Sequence, residues 1–139
     1  MGTVLRPQLS QKNKYYLERH RYYELKHFCL QYPIWKKAYA ALDGLSNRSG
    51  DLIAAAHNSD IGDPTAKCAE ARVFYAERIR MVEDTAKATD PVLGSYILTG
   101  VTEGLSYDCL NARQPIPCCK DTYYELYRRF FWLLSKVRN

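Results

Sequence analysis

Apolar positions recur along most of this chain at helical spacing, and Pro and Gly fall where helices would begin and end. Tyr15, Tyr22 and Cys29, with Tyr16, Tyr23 and Leu30 beside them, repeat every seven residues. They predict a first helix from about Leu9 or Gln11 to Gln31, where Tyr32-Pro33 opposes continuation. Pro33 then opens a second segment, IWKKAYAAL, whose Ile34, Tyr39 and Leu42 are expected to pack back on the first. Between Asp43 and Gly62 the chain is rich in Gly, Ser, Asn and Asp and reads as a linker, with room for a short helical piece at Leu52 to Ala56. Asp63-Pro64 starts a long helix with an apolar stripe through Val73, Ala76, Ile79, Val82 and Ala86. No β-branched run alternates with period two for more than a few residues, so the expected fold is all-α.

Asp90-Pro91 repeats the cap-plus-proline signature and starts a helix through Val92, Leu93, Ile97, Leu98 and Val101, with Gly104 placed to stop it in a left-handed cap. Ser106 can cap a short helix carrying Tyr107, Cys109 and Leu110. A turn with Pro115 and Pro117 follows, and a last helix begins near Cys118 to Lys120, with Asp121 favourable in its first turn. Two helices before such a turn and one after it make a helix-turn-helix outline. On a wheel, Tyr123, Leu126, Phe130, Leu133, Leu134 and Val137 fall within an arc of about 100°, the width of a core-facing stripe. Asp121, Tyr124, Glu125, Arg128, Trp132 and Lys136 lie opposite, flanked by Lys120 and Arg129. The chain thus divides into a Tyr-rich helical region (1–43), a loop (44–62), a connecting helix (63–89) and a helix-turn-helix region (90–139).

Charge adds a function class to this outline. The net charge is +5, but residues 1–40 carry eight Lys and Arg against two Glu, residues 41–112 six against eleven acidic groups, and residues 113–139 six against two. Two basic ends flank an acidic middle. A basic end that is also amphipathic is a candidate phosphate-binding surface. Twelve tyrosines supply apolar area with a polar tip, a bias toward interfaces. Tyr15, Tyr16, Tyr22, Tyr23 and Trp35 are therefore the candidate face for a partner protein or a homo-oligomer.

Other chemistries find little in the chain. Its five Cys (Cys29, Cys68, Cys109, Cys118, Cys119) match no zinc-ligand spacing, and His20, His27 and His57 do not complete a metal site, so neither metal nor cofactor is expected. There is no Gly-rich phosphate loop, no nucleophile with an obvious base, and no paired carboxylates in an apolar setting, so no enzymatic activity is expected. No stretch reaches the roughly 20 apolar residues of a membrane span and the first residues lack a signal-peptide core, which leads to an expectation of a cytoplasmic protein with reduced thiols.

The segment YILTGVTEGLSYDCL from Tyr96 to Leu110, followed by Ile116 and the basic last helix, resembles region 4 of bacterial sigma factors, with Glu103-Gly104-Leu105-Ser106-Tyr107 intact. The turn through Pro115-Ile116-Pro117-Cys118-Cys119 is longer than the sigma-type turn. The wider order resembles small prophage-encoded regulators of the RinA and ArpU late-gene activator kind. It begins with a basic N-terminal helix and a loop. Gly62-Asp-Pro-Thr-Ala66 then opens a long helix, and a final Asp121-Thr-Tyr-Tyr124 leads into Arg128-Arg-Phe-Phe-Trp-Leu-Leu134. The resemblance implies a DNA-binding transcription regulator in a bacterial host cell, partnered by double-stranded DNA and by RNA polymerase. In that reading Lys120, Arg128 and Arg129 hold phosphates, while Thr122, Tyr124 and Lys136 join them on the DNA-facing side. Two alternatives are a phage accessory protein that inhibits a host nucleic-acid machine, of the anti-CRISPR type, and a small terminase subunit that recognises packaging DNA.

Overall fold

Every regular element in the computed structural model is a helix; it describes residues 13–47 and 64–138 and contains no strand among them. The helices are α1 (Arg19–Leu30), α2 (Tyr32–Asn47), α3 (Pro64–Thr89), α4 (Gly94–Glu103), α5 (Tyr107–Arg113) and α6 (Lys120–Val137). The expected helical piece at Leu52 to Ala56 and the Asp63 cap lie outside the described residues. The chain forms two compact units that do not follow the boundaries read from composition. One combines the residues up to Tyr32 with those from Met81 onward, and the other is Pro33–Arg80.

In the first unit α1 starts later than the heptad pattern predicts. Asn13 accepts from the Tyr15 N–H through Oδ1 (2.9 Å) and from the Tyr16 N–H through its carbonyl (3.0 Å), which closes a turn. Glu18 then caps α1, accepting from the N–H groups of His20 (2.9 Å) and Arg21 (3.2 Å). These local bonds outcompete helix over residues 13–18, a segment that carries Tyr15 and Leu17 into buried positions. Further on, Tyr22, Leu25, Phe28 and Cys29 form the buried face of α1.

Asp90 does cap, accepting from Val92 N–H (2.8 Å) and Leu93 N–H (2.7 Å), but residues 91–93 form a turn and α4 begins at Gly94. A Cβ on Gly94 would lie 2.5 Å from the Ala86 carbonyl oxygen, so this glycine lets α3 and α4 approach closely. Gly104 ends α4 at φ 69°, as expected of a left-handed cap. Ser106 caps α5 through the Cys109 N–H (3.2 Å). The connection at 114–119 is held by Ile116, which is buried and donates its N–H to Asn111 Oδ1 (2.8 Å), and by the Tyr107 hydroxyl donating to the Cys118 carbonyl (2.7 Å).

Helix α1 packs on α4 and α6, α4 on α5 and α6, and α5 on α6. Their shared core is strongly aromatic. Phe131 meets Tyr22 (5.2 Å between centroids), Tyr127 (4.9 Å) and Phe130 (5.1 Å), and the Tyr22 and Tyr127 hydroxyls share a hydrogen bond of 2.8 Å. Arg21 closes the end of α6 by donating to the carbonyls of Ser135 and Arg138, while the Arg138 guanidinium stacks on Phe28 (4.0 Å).

Helix α6 is turned relative to the sequence wheel. Its buried residues are Tyr123, Tyr124, Tyr127, Phe130, Phe131 and Leu134, whereas Val137 is 54% exposed. The buried arc is displaced by about 70° from the expected one at 100° per residue. The cause is that rings at 124, 127 and 131 find aromatic partners, which outweighs the aliphatic stripe through Leu126 and Leu133.

In the second unit, α2 runs to Asn47, past the expected start of the loop. Arg72 of α3 pairs with Asp43 (3.0 Å) and lies over the Tyr39 ring (5.7 Å). Ile34 and Val73, both expected in packed stripes, are 65% and 55% exposed. The predicted stripe of α3 is fully buried only at Val82 and Ala86, in the other unit.

Candidate functional site

Helix α6 carries every residue expected to meet DNA, and the structure treats them differently. Lys120 is ion-paired with Asp108 of α5 (3.1 Å), a pair open to solvent on both sides and worth under about 1 kcal/mol. Thr122 is exposed, with its hydroxyl 3.2 Å from Cys119 Sγ. Tyr124 is a correction: instead of facing outward it is 4% exposed, and its hydroxyl accepts from the Tyr107 N–H (3.0 Å), anchoring the start of α5. Arg128 is half-buried and has no hydrogen bond or ion pair among the described residues. Arg129 donates to the Tyr15 hydroxyl (3.4 Å), and its Nε is buried without a partner among the described residues. Lys136 is exposed and sits over the Trp132 ring, 4.0 Å from its centroid.

The candidate partner face is corrected as well. Tyr15, Tyr22 and Trp35 are 8%, 1% and 4% exposed within a single chain, and Tyr16 and Tyr23 are half-buried. Their rings supply core rather than an oligomer face, because phenol hydroxyls that pair with one another let tyrosine be buried at little cost.

The arrangement divides α6 electrostatically. Asp121 and Glu125 are exposed near its N-terminal half, where Lys120 is already engaged by Asp108. Arg128, Arg129 and Lys136, from the middle of the helix to its C-terminal end, have no carboxylate partner among the described residues. Segment 13–18 reaches that stretch, and Tyr15 meets Trp132 at 5.5 Å between centroids with a 58° tilt. Lys14 lies 4.9 Å from the Tyr15 centroid. The hydrogen bond from Arg129 holds the Tyr15 phenol below the usual tyrosine range, against the opposing effect of burial and with help from Lys14. Lys14 was not expected in the site. Nothing in the sequence signals that it and Tyr15 meet a helix at the other end of the chain.

Near the start of α6, the exposed Cys119 thiol is held below the usual cysteine range, mainly by the Thr122 hydroxyl and then by the Thr122 N–H, while burial pushes Cys118 up. At a pH below the ordinary thiol pKa of roughly 8.5, iodoacetamide should therefore alkylate Cys119 well before Cys118, and Thr122→Val should slow it. Peptide mapping by mass spectrometry reads both rates, and equal rates in the parent chain would refute the assignment. Among the described residues no helix is long and apolar enough to cross a membrane, and no group of His, Cys, Asp or Glu is arranged to hold a metal ion. No protein-family model, curated protein or solved structure matches the chain.

Proposed function

We propose that this protein binds double-stranded DNA as a transcription regulator of the phage type, with α5, the turn at 114–119 and α6 acting as a helix-turn-helix in the cytoplasm of a bacterial host. The observation that carries the reading is the flank of α6 formed by Arg128, Arg129 and Lys136, none of which has a carboxylate partner among the described residues. Three cations on one side of a helix, without a carboxylate partner among the described residues, cost self-repulsion, which a polyanion relieves. The mutual packing of α4, α5 and α6, the left-handed stop at Gly104 and the Ser106 cap support the helix-turn-helix outline. Thr122 lies on the exposed N-terminal part of α6, the part from which such helices address base edges.

Arg128→Ala tests the reading, because that side chain makes no hydrogen bond or ion pair among the described residues. Fluorescence anisotropy with a labelled duplex should show binding weakened several-fold, with the slope of log affinity against log salt reduced by about 1. An unchanged slope sinks the assignment of Arg128. A parent chain without affinity for any duplex sinks the DNA reading altogether and turns attention to an inhibitor of a host protein. The support for that alternative is the exposed Val73 and Phe74 of α3, 55% and 45% accessible.

A further inference from the structure

We propose that Lys14 and Tyr15, from the segment before α1, complete a phosphate-binding surface with Arg129, Trp132 and Lys136 of α6, and that its ligand is the sugar–phosphate backbone of duplex nucleic acid. The inference rests on the duplex-binding reading and adds to it a second chain segment that the helix-turn-helix does not include.

The geometry is a tilted pair of rings with a lysine over each. Tyr15 packs against Trp132 at 5.5 Å, Lys14 Nζ lies 4.9 Å from the Tyr15 centroid, Lys136 Nζ lies 4.0 Å from the Trp132 centroid, and Arg129 donates to the Tyr15 hydroxyl. The rings hold the cations in place without cancelling their charge, since a cation–π contact leaves the full positive charge available to an anion. Carboxylates do not compete among the described residues. The Glu18 side chain is spent capping α1, and Glu125, one turn before Arg129, makes no ion pair.

Two features favour a duplex backbone over other anions. Lys14 and Lys136 each cover a face of the ring beside them, and the rings meet at 58°, so no flat platform is open for a base to stack on. Stacking recognition of a single strand is therefore disfavoured, and contact through charge alone remains. Exposed lysines also hold a lone phosphate weakly, whereas a polyanion adds the entropy of released counterions for every cation engaged.

The test uses the full chain with Lys14→Glu and Lys136→Glu combined, both at exposed positions, with circular dichroism to verify that the helices remain. A control combines Lys37→Glu and Lys87→Glu, which change net charge equally at exposed positions elsewhere. Anisotropy against a short labelled duplex across a range of salt should show the site variant at least roughly tenfold weaker, with its salt slope lower by about 2, and the control close to the parent. Equal losses in both variants would overturn the proposal, because net charge alone would then account for them. A site variant that binds like the parent would also overturn it, while leaving the α6 reading intact if Arg128→Ala still weakens binding. If the parent binds no duplex, the DNA reading and this inference fall together.

Discussion

Phe131→Ala should lower the free energy of unfolding by about 3–5 kcal/mol, the range for truncating a fully buried aromatic ring. Phe131 is fully buried and is one of the rings through which α1 and α6 are joined. Its edge-to-face contacts with Tyr22, Tyr127 and Phe130 all lie within 5.2 Å between centroids. Truncation removes the transfer energy of the ring and leaves a cavity that rigid aromatic neighbours cannot collapse to fill. The Tyr22 to Tyr127 hydrogen bond beside it would also lose its packing support. Urea denaturation followed by far-ultraviolet circular dichroism measures the change, with Val137→Ala, on the same helix but 54% exposed, as the comparison expected to cost little. A loss for Phe131→Ala no greater than for Val137→Ala would show that the aromatic cluster does not organise the core.

The second large effect concerns one close approach between α4 and α6. A Cβ added at Gly100 would stand 2.1 Å from the Tyr123 hydroxyl oxygen but 3.5 Å from the ring carbon that bears it. Gly100→Ala should therefore destabilise the protein by about 1–3 kcal/mol through overpacking. Tyr123 is 1% exposed and its hydroxyl has no hydrogen-bond partner among the described residues; burial pushes its phenol well above the usual range. Tyr123→Phe should then be neutral or stabilising, since it removes a buried polar atom that nothing satisfies. The two changes should couple: in the Tyr123→Phe background Gly100→Ala meets only ordinary van der Waals contact and should cost far less. A double-mutant cycle read by thermal unfolding gives the coupling directly, and strict additivity would overturn the account.

The parts legible in the sequence are those set by local chemistry. Pro64 begins α3, Gly104 stops α4 in the left-handed region, Ser106 caps α5, and Asp90 caps the turn that leads into α4. Each depends on one residue's backbone preference or on one short-range hydrogen bond, and such preferences are written in a few adjacent letters. The heptad of tyrosines before Arg19 was misleading because the Asn13 turn and the Glu18 cap, equally local, outweigh periodicity there. Of the expected DNA-facing residues, Thr122 and Lys136 are exposed and Arg128 is half-buried, whereas Tyr124 is in the core.

By itself, then, the sequence determined the helical class, most of the helix ends and the concentration of positive charge at the two ends of the chain. Only the tertiary structure decided which face of α6 is buried, that most of the suspected tyrosine interface is core, and that the two basic ends meet at Tyr15 and Trp132. The physical reason is that side-chain burial is settled by partners distant in the chain. An aromatic ring is apolar enough for the core and polar enough for the surface, so its place follows from whichever neighbours can surround it.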